Sequence, residues 1–439
     1  MPRRPARRAD AGARPGARGG GQRRAADREL RTRPRGRAGH DQAGRPQEAA
    51  REEMTMALHT RVCALLGIET PILLAGMGRA STPELAAAVS NAGGLGVLGA
   101  ASCGPNQLRA WIRRMRELTD RPFGVDTLLP ASVRRGGGGN AGGPPAESLL
   151  PQHRGFAQEF MAREGLDPLD EAGLAAALGR DPADRDGPVP LSRAFFEAQM
   201  EVVIEERVPV YAAGLGNPAP WLERLHANGT KVMAVVGTTR HARQVVESGI
   251  DLIVAQGHDG GGHNSPIGTM ALIPQVVDAV GGRVPVLGAG GIGDGRGIAA
   301  ALMLGAEGVW IGTAFLATEE AGIGPGQKQA LVAGNDEGTT VSRSVTGKPA
   351  RMVKNRWAAA YAEAGLEPLP MPYQGLVSAP VTAAALAADR AEIWGGFAGQ
   401  GLGMVRAVRP AAEVLRDLAT GAERVLAGAG RFTGPAAGG

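Results

Sequence analysis

The sequence predicts an α/β protein built on a closed parallel (β/α)8 barrel, and three observations carry that expectation. Short runs of β-branched and aliphatic residues recur eight times, and most are followed by an amphipathic stretch. The runs are continuously apolar rather than alternating, as strands buried on both faces are. The units together fill the length that such a barrel needs, about 250 residues. An open doubly wound sheet is the rival, but it carries its glycine-rich loop after the first strand. Here the glycine loops follow the sixth, seventh and eighth. The fold class is therefore the TIM barrel, with an insertion after strand 3, an extension or lid after strand 8, and a disordered N-terminal tail.

The elements follow in order. PILLA (71–75) is the first strand; in TPELAAAVSNAG (82–93), Thr82 reads as an N-cap, Pro83 as the first helical residue and Gly93 as the stop. LGVLGA (95–100) leads to NQLRAWIRRMRELT, and PFGVDTLL (122–129) leads into irregular sequence. VPVYAAG (208–214), KVMAVVG (231–237) and DLIVAQG (251–257) each precede a helical pattern. PVLGAGG (285–291) precedes DGRGIAAALMLGA, and GVWIGTAF (308–315) closes the series. The last helix, AAEVLRDLATGAERVLAG (411–428), is expected to close the barrel.

Two stretches break the rhythm. The insertion, 131–192, opens with RRGGGGNAGGPP and leaves from the C-terminal end of a strand, where barrel active sites lie. Its length suits a lid or an ordered insertion, with simple disorder confined to the glycine part. The extension, 320–405, holds GKPARMVKNRW, whose Lys348, Arg351 and Lys354 read as a solvated basic helix or as a face toward an anionic substrate.

Charge separates the chain into two parts. Residues 1–53 carry 15 arginines and seven acids, a surplus of eight, so the remainder is at −3 against a whole-chain +5. That leader has no apolar periodicity and cannot offset the entropy of ordering, so residues 1–55 are expected to be a disordered tail, with the barrel domain spanning 56–430. Pattern begins abruptly near Met54 and Met56, which makes either a candidate translation start. The tail lacks the interleaved aromatics of a nucleic-acid binder and the amphipathic face of a transit peptide. No run of about 18 uncharged apolar residues occurs, so no membrane partner is expected. The two cysteines, Cys63 and Cys103, lack disulfide or metal spacing and suit a reducing, cytoplasmic setting.

The chemistry concentrates at three strand ends. GAGGIGDGRG (288–297) and WIGTAF (310–315) follow the seventh and eighth strands, the pair of loops with which barrels frequently hold phosphate. Gly290, Gly291, Gly312 and Thr313 are the candidate phosphate ligands, helped by the free N–H groups of the helix after strand seven. VAQGHDGGGH (254–263) ends strand six with two histidines and an aspartate among glycines. His258, Asp259 and His263 could meet on a metal, but His-x4-His is helix or hairpin spacing, and three consecutive glycines make neither, so no metal is expected. A histidine on such a loop can accept a proton near neutrality, which makes His263 the candidate base.

These motifs, taken with PILLAGMGRASTPELAAAVSNAGGLGVLGA, TGKPARMVKNRW and GFAGQGLGMV in this order, resemble the nitronate monooxygenase family, formerly 2-nitropropane dioxygenases, from about residue 60 to 405. Flavin-dependent enoyl-ACP reductases are similar in the same motifs. The resemblance implies an FMN-binding barrel that oxidises alkyl nitronates, with nitroalkanes as a further candidate substrate class, with O2 to carbonyl compounds and nitrite. It implies that His263 acts as base on the carbon beside the nitro group, with Gly262 before it, and that Gln256 contacts the flavin. The family's Ala-Pro-Met loop beside the ring reads Ala75-Gly76-Met77 here, and loss of the proline predicts a looser turn. Asp126 stands where the family often has an asparagine at the ring edge, and Gln400 in AGQGLG matches a segment that returns to the cofactor. After His263 come Asn264-Ser265-Pro266, where the family usually has arginine or a small apolar residue. The alternative is an FMN-dependent NAD(P)H enoyl-thioester or quinone reductase on the same fold. Expected partners are thus a small-molecule nitronate and O2, NAD(P)H in the alternative, and a homodimer as the assembly, with no nucleic acid.

Overall fold

The computed structural model describes residues 58–129, 145–190 and 192–432. The expected tail and the glycine-rich start of the insertion lie outside the described residues. Among those described, no helix is long and apolar enough to cross a membrane.

Eleven strands are present among the described residues: β1 Ile72–Leu74, β2 Gly96–Gly99, β3 Phe123–Leu128, β4 Val210–Leu215, β5 Lys231–Val236, β6 Leu252–Gln256, β7 Gly262–His263, β8 Val286–Ala289, β9 Gly308–Ile311, β10 Thr339–Ser342 and β11 Ala350–Val353. Eight form one parallel sheet in the order β1-β9-β8-β6-β5-β4-β3-β2. The circuit closes through a parallel bridge between Leu73 and Leu95, where Leu74 N–H donates to the Leu95 carbonyl at 2.9 Å and Leu95 N–H to that of Ile72 at 3.1 Å. A closed sheet leaves no unpaired edge, and its eight strands are the eight runs read from the sequence.

Alternation along each strand explains why the runs look uniformly apolar. Leu73, Val97, Val210, Ala212, Met233, Leu252, Val254, Leu287 and Trp310 point inward and fill the barrel. Their neighbours Ile72, Leu74, Leu98, Tyr211, Val232, Ala234 and Ile253 point outward into the helical ring. Both faces are buried, so neither needs a polar residue. The eighth strand is shorter than its sequence suggests: it ends at Ile311, and Thr313–Leu316 is a turn of helix. Thr82 does occupy the N-cap position, but its side chain makes no capping bond; Pro83 starts the helix Pro83–Asn91.

The C-terminal helix Ala411–Ala427 packs against the helix Gly295–Met303 and against Pro83–Asn91, completing the outer ring. Close approach requires glycine: a Cβ on Gly295 would lie 2.2 Å from the backbone carbonyl carbon of Gly421.

Insertion and extension build a second core. The insertion helix Ala146–Glu164 brings Phe160 and Met161 against Trp357, Tyr361, Val377 and Val381 of the extension. Phe160 meets Trp357 edge-on at 5.0 Å between ring centroids, and Phe156 meets Tyr361 at 4.9 Å. The basic segment is not a solvated helix. It forms β11 and the cap of the helix Arg356–Ala364, where Asn355 accepts from Ala358 N–H. Strand β11 pairs antiparallel with β10 on one side and with β7 on the other, Ala350 opposite His263 and Arg351 opposite Gly262.

Candidate active site

A cavity of about 500 Å³ opens at the C-terminal end of the barrel. Its floor is strand ends and its roof the insertion and extension, through Leu178, Gln327, Leu386 and Trp394. The volume lies within the range of cofactor and small-molecule sites.

Ala75, Gly76, Met77, Asp126, Gln256, Gly262, His263, Gly290, Gly291, Gly312 and Thr313, the candidate base and all but one of the candidate cofactor-binding residues, line this cavity, whereas His258, Asp259, Lys348, Arg351 and Lys354 do not. Gln400 does not: its side chain is exposed, its N–H donates to the Asp259 carbonyl at 2.8 Å, and its neighbour Gly401 reaches the wall instead.

The glycines leave backbone bare toward the cavity. Gly290 and Gly291 both have positive φ, +105° and +70°, and a Cβ on Gly290 would sit 2.6 Å from Thr269 Oγ1. Among the described residues nothing accepts from the N–H groups of Gly290, Gly291, Gly312 or Thr313. Four unpaired donors on two adjacent loops suit an anion such as phosphate. The helix after β8 contributes less than its position suggests, because Asp294 caps it, accepting from Arg296 N–H at 2.9 Å and from Gly297 N–H at 3.3 Å. The Thr313 hydroxyl accepts from Gly399 N–H at 2.9 Å, tying the returning C-terminal segment to the cradle.

The β6 loop is shaped by the groups that suggested a metal. Asp259 accepts from Thr269 N–H at 2.8 Å, and His258 Nδ1 lies 3.0 Å from the Ser265 carbonyl. Arg351 is buried and donates to the His258 carbonyl and to Thr339 Oγ1. Among the described residues no group of three or more His, Cys, Asp or Glu could hold a metal ion.

His263 itself is fixed from three sides. Its backbone pairs with Ala350, its carbonyl accepts from the Gln256 amide at 2.8 Å, and its Nε2 lies 2.9 Å from Thr346 Oγ1. The Thr346 hydroxyl accepts from Lys348 N–H and lies the same 3.3 Å from the Lys348 carbonyl, so it can either receive a proton from Nε2 or donate one to it. Desolvation, and secondarily the Lys348 ammonium, hold the imidazole down at about 4, neutral throughout the physiological range.

Asp126, near the end of β3, is buried with no cation beside it, and desolvation raises its carboxyl well above the usual range. The turn after β1 is not loose. The Ser81 hydroxyl, fully buried, donates to the Ala75 carbonyl at 2.9 Å and accepts from Met77 N–H at 3.1 Å.

Sequence reasoning missed two residues here. Arg79, on the same turn, lines the cavity with no ion-pair partner among the described residues, and burial lowers its pKa. It touches the insertion: a Cβ on Gly179 would lie 2.9 Å from Arg79 Nε. Thr346 was equally invisible, because 83 residues separate it from His263.

Comparison with known proteins places the chain in a family. The nitronate monooxygenase family model matches residues 59–421. The chain belongs to the nitronate monooxygenase family. It is 35% identical over 369 residues to the nitronate monooxygenase of Pseudomonas aeruginosa, covering 82% of this chain and 97% of that protein. Among solved structures, FabK from Thermotoga maritima superposes with a TM-score of 0.66 at 32% identity, over 86% of this chain and all of that one. Nitroalkane oxidase from Streptomyces ansochromogenes superposes with a TM-score of 0.67 at 31% identity, over 84% and 99%. The chain is thus an enzyme on a TIM barrel, and the cavity is where that fold places its chemistry.

Proposed function

We propose that this family member is an FMN-dependent oxygenase that oxidises alkyl nitronates with O2 to carbonyl compounds and nitrite. The observation that carries the reading is a neutral histidine, His263, in one cavity with a glycine-walled floor and four unpaired backbone donors. The residues present fit a flavin mononucleotide. The donors of Gly290, Gly291, Gly312 and Thr313 would hold its phosphate, and the loop Ala75–Met77 with Gln256 and Gly262 would flank its ring. When bound, the flavin supplies the electron transfer, and the protein supplies position, exclusion of water and proton management.

His263 is suited to a substrate that is already an anion. An imidazole held at about 4 is a weak base for a neutral nitroalkane, whose C–H is a far weaker acid than this imidazolium. Against a nitronate it needs only to share a hydrogen bond, and the anion's charge draws a proton onto it. The half-buried Lys348 adds positive potential on the same side. Small-molecule nitronate and O2 are the partners of this reaction.

The test is the visible spectrum of the purified full chain, followed by anaerobic mixing with propionate-3-nitronate in one cuvette and NADH in another. Reduction of a bound flavin by the nitronate is the expected result. Rapid bleaching by NADH with no nitronate response moves the assignment to an NAD(P)H-dependent reductase, and a colourless protein that cannot be reconstituted overturns both.

A further inference from the structure

Asp126 is chemically out of place. It stands opposite Gly99 on β2 and Ala212 on β4, inside a barrel wall, and its carboxyl reaches the cavity. Only 9% of the residue is exposed, and Oδ1 has no hydrogen-bond partner among the described residues. The groups that face it are few. Tyr211 on β4 is titratable, but its hydroxyl is paired with Thr127 Oγ1 at 2.8 Å; on the β4 side the Gly214 N–H also faces the carboxyl. Of the cavity's ionisable groups, neither Arg79 on the β1 turn nor His263 on the β6 loop is near enough to shift it, and no ion pair includes it.

The chain has made room for this carboxyl on both sides. A Cβ on Gly76 would lie 2.1 Å from Oδ2, and one on Gly214 would lie 2.6 Å from Oδ1. Real Cβ atoms essentially never sit under 3.0 Å from a heavy atom they are not bonded through, so neither position tolerates a side chain while Asp126 stays as it is.

A lone carboxylate sealed between two glycines, with no cation, carries a desolvation cost that Coulomb attraction does not return. Protonation removes the cost. It also converts an acceptor-only group into one O–H donor and one carbonyl acceptor, the complement of the amide that usually stands here.

We propose that Asp126 is held in the cavity as the neutral carboxylic acid and donates its O–H to an acceptor on the edge of a bound flavin ring, a contact that rests on the flavin reading above. An uncharged donor can hold a ring edge without placing a negative charge against it. Ionisation would reverse this, setting a carboxylate against an acceptor.

The experiment has two readouts on the full chain. The first is the infrared difference spectrum of the flavin-free protein against Asp126→Asn at neutral pH. The expected result is a protonated-carboxyl C=O stretch in the wild type that vanishes in the variant and, in the wild type, is lost as pH rises. The second is FMN affinity, by fluorescence quenching, for wild type, Asp126→Asn and Asp126→Ala. Asp126→Asn should keep the wild-type affinity at neutral pH and stay flat as pH rises, while the wild type weakens by up to tenfold per pH unit beyond the loss of the infrared band. Asp126→Ala should bind about tenfold more weakly throughout, one unmade hydrogen bond. A carboxylate signature at neutral pH with flavin bound overturns the proposal alone. So does a protonated band accompanied by equal affinity in all three proteins. Failure of every protein to bind FMN overturns the flavin reading and this contact together, whatever the infrared band shows.

Discussion

The sharpest expectation concerns the titration of His263 and its dependence on Lys348. The fall from the ordinary 6.5 to about 4 corresponds to roughly 3 kcal/mol against the imidazolium. Desolvation under the extension is the larger cause, and the Lys348 ammonium the smaller. Lys348→Met should therefore raise the pKa, but not restore it to 6.5. The assay is histidine NMR of the flavin-free protein against pH, with His263→Ala to assign the signal. Stability offers an independent check of sign. The folded pKa lies below the unfolded one, so the unfolded chain binds the proton more readily. Stability should then fall as pH drops from about 6.5 to about 4, by at most about 3 kcal/mol, and this contribution should vanish above that window. A midpoint near 6.5 that ignores Lys348→Met would refute the reasoning, because it would mean a solvated imidazole remote from the ammonium.

Three further expectations follow from single contacts. Thr346→Val removes the oxygen that bonds Nε2, so it should redistribute the His263 tautomers seen by nitrogen NMR and lower activity, whereas Thr346→Ser should leave both close to wild type. Gly76→Ala sets a methyl 2.1 Å from Asp126 Oδ2 and should abolish flavin retention, measured as flavin per chain, at a stability cost of about 1–3 kcal/mol. Gly295→Ala drives a methyl into the Gly421 backbone and should destabilise the chain by a similar amount in denaturant titration, without altering the cavity's chemistry.

The barrel was legible because both faces of each strand are buried, so the eight runs stand out as unbroken apolar segments. The cradle was legible for a related reason: a chain that must bring bare backbone to a ligand can do so only with glycine, and Gly290 and Gly291 have the positive φ that shows it. What hid was tertiary. The pairing of Gly262 and His263 with Ala350 and Arg351 spans more than 80 residues and leaves no periodic trace in a two-residue strand. The basic segment around Arg351 looked solvated because its charge pattern fits a surface helix, yet Arg351 is buried by bonds to the His258 carbonyl and Thr339. The helix after β8 looked like an open anion site, but Asp294 in its own N-cap takes up its donors. The missing proline in the first loop predicted slack, and Ser81, five residues after Gly76, supplies the closure instead.

The second core bears on catalysis through one chain of contacts. Phe160 of the insertion packs on Trp357, whose indole N–H donates to the Ser344 carbonyl at 3.0 Å; the Gln374 amide donates to the same carbonyl at 2.6 Å. Ser344 lies two residues before Thr346, which holds His263. The insertion thus braces the segment that fixes the histidine, although none of its aromatic residues touches the cavity. Phe160→Ala should cost about 3–5 kcal/mol by opening a void beside Trp357. If the brace matters, the loss reaches further than stability: water gains access under the extension, and the His263 pKa rises from about 4 toward 6.5 in the same NMR titration. A Phe160→Ala protein that is destabilised by the expected amount but titrates as the wild type would show that the insertion supports the fold and leaves the histidine to β11, Gln256 and Thr346.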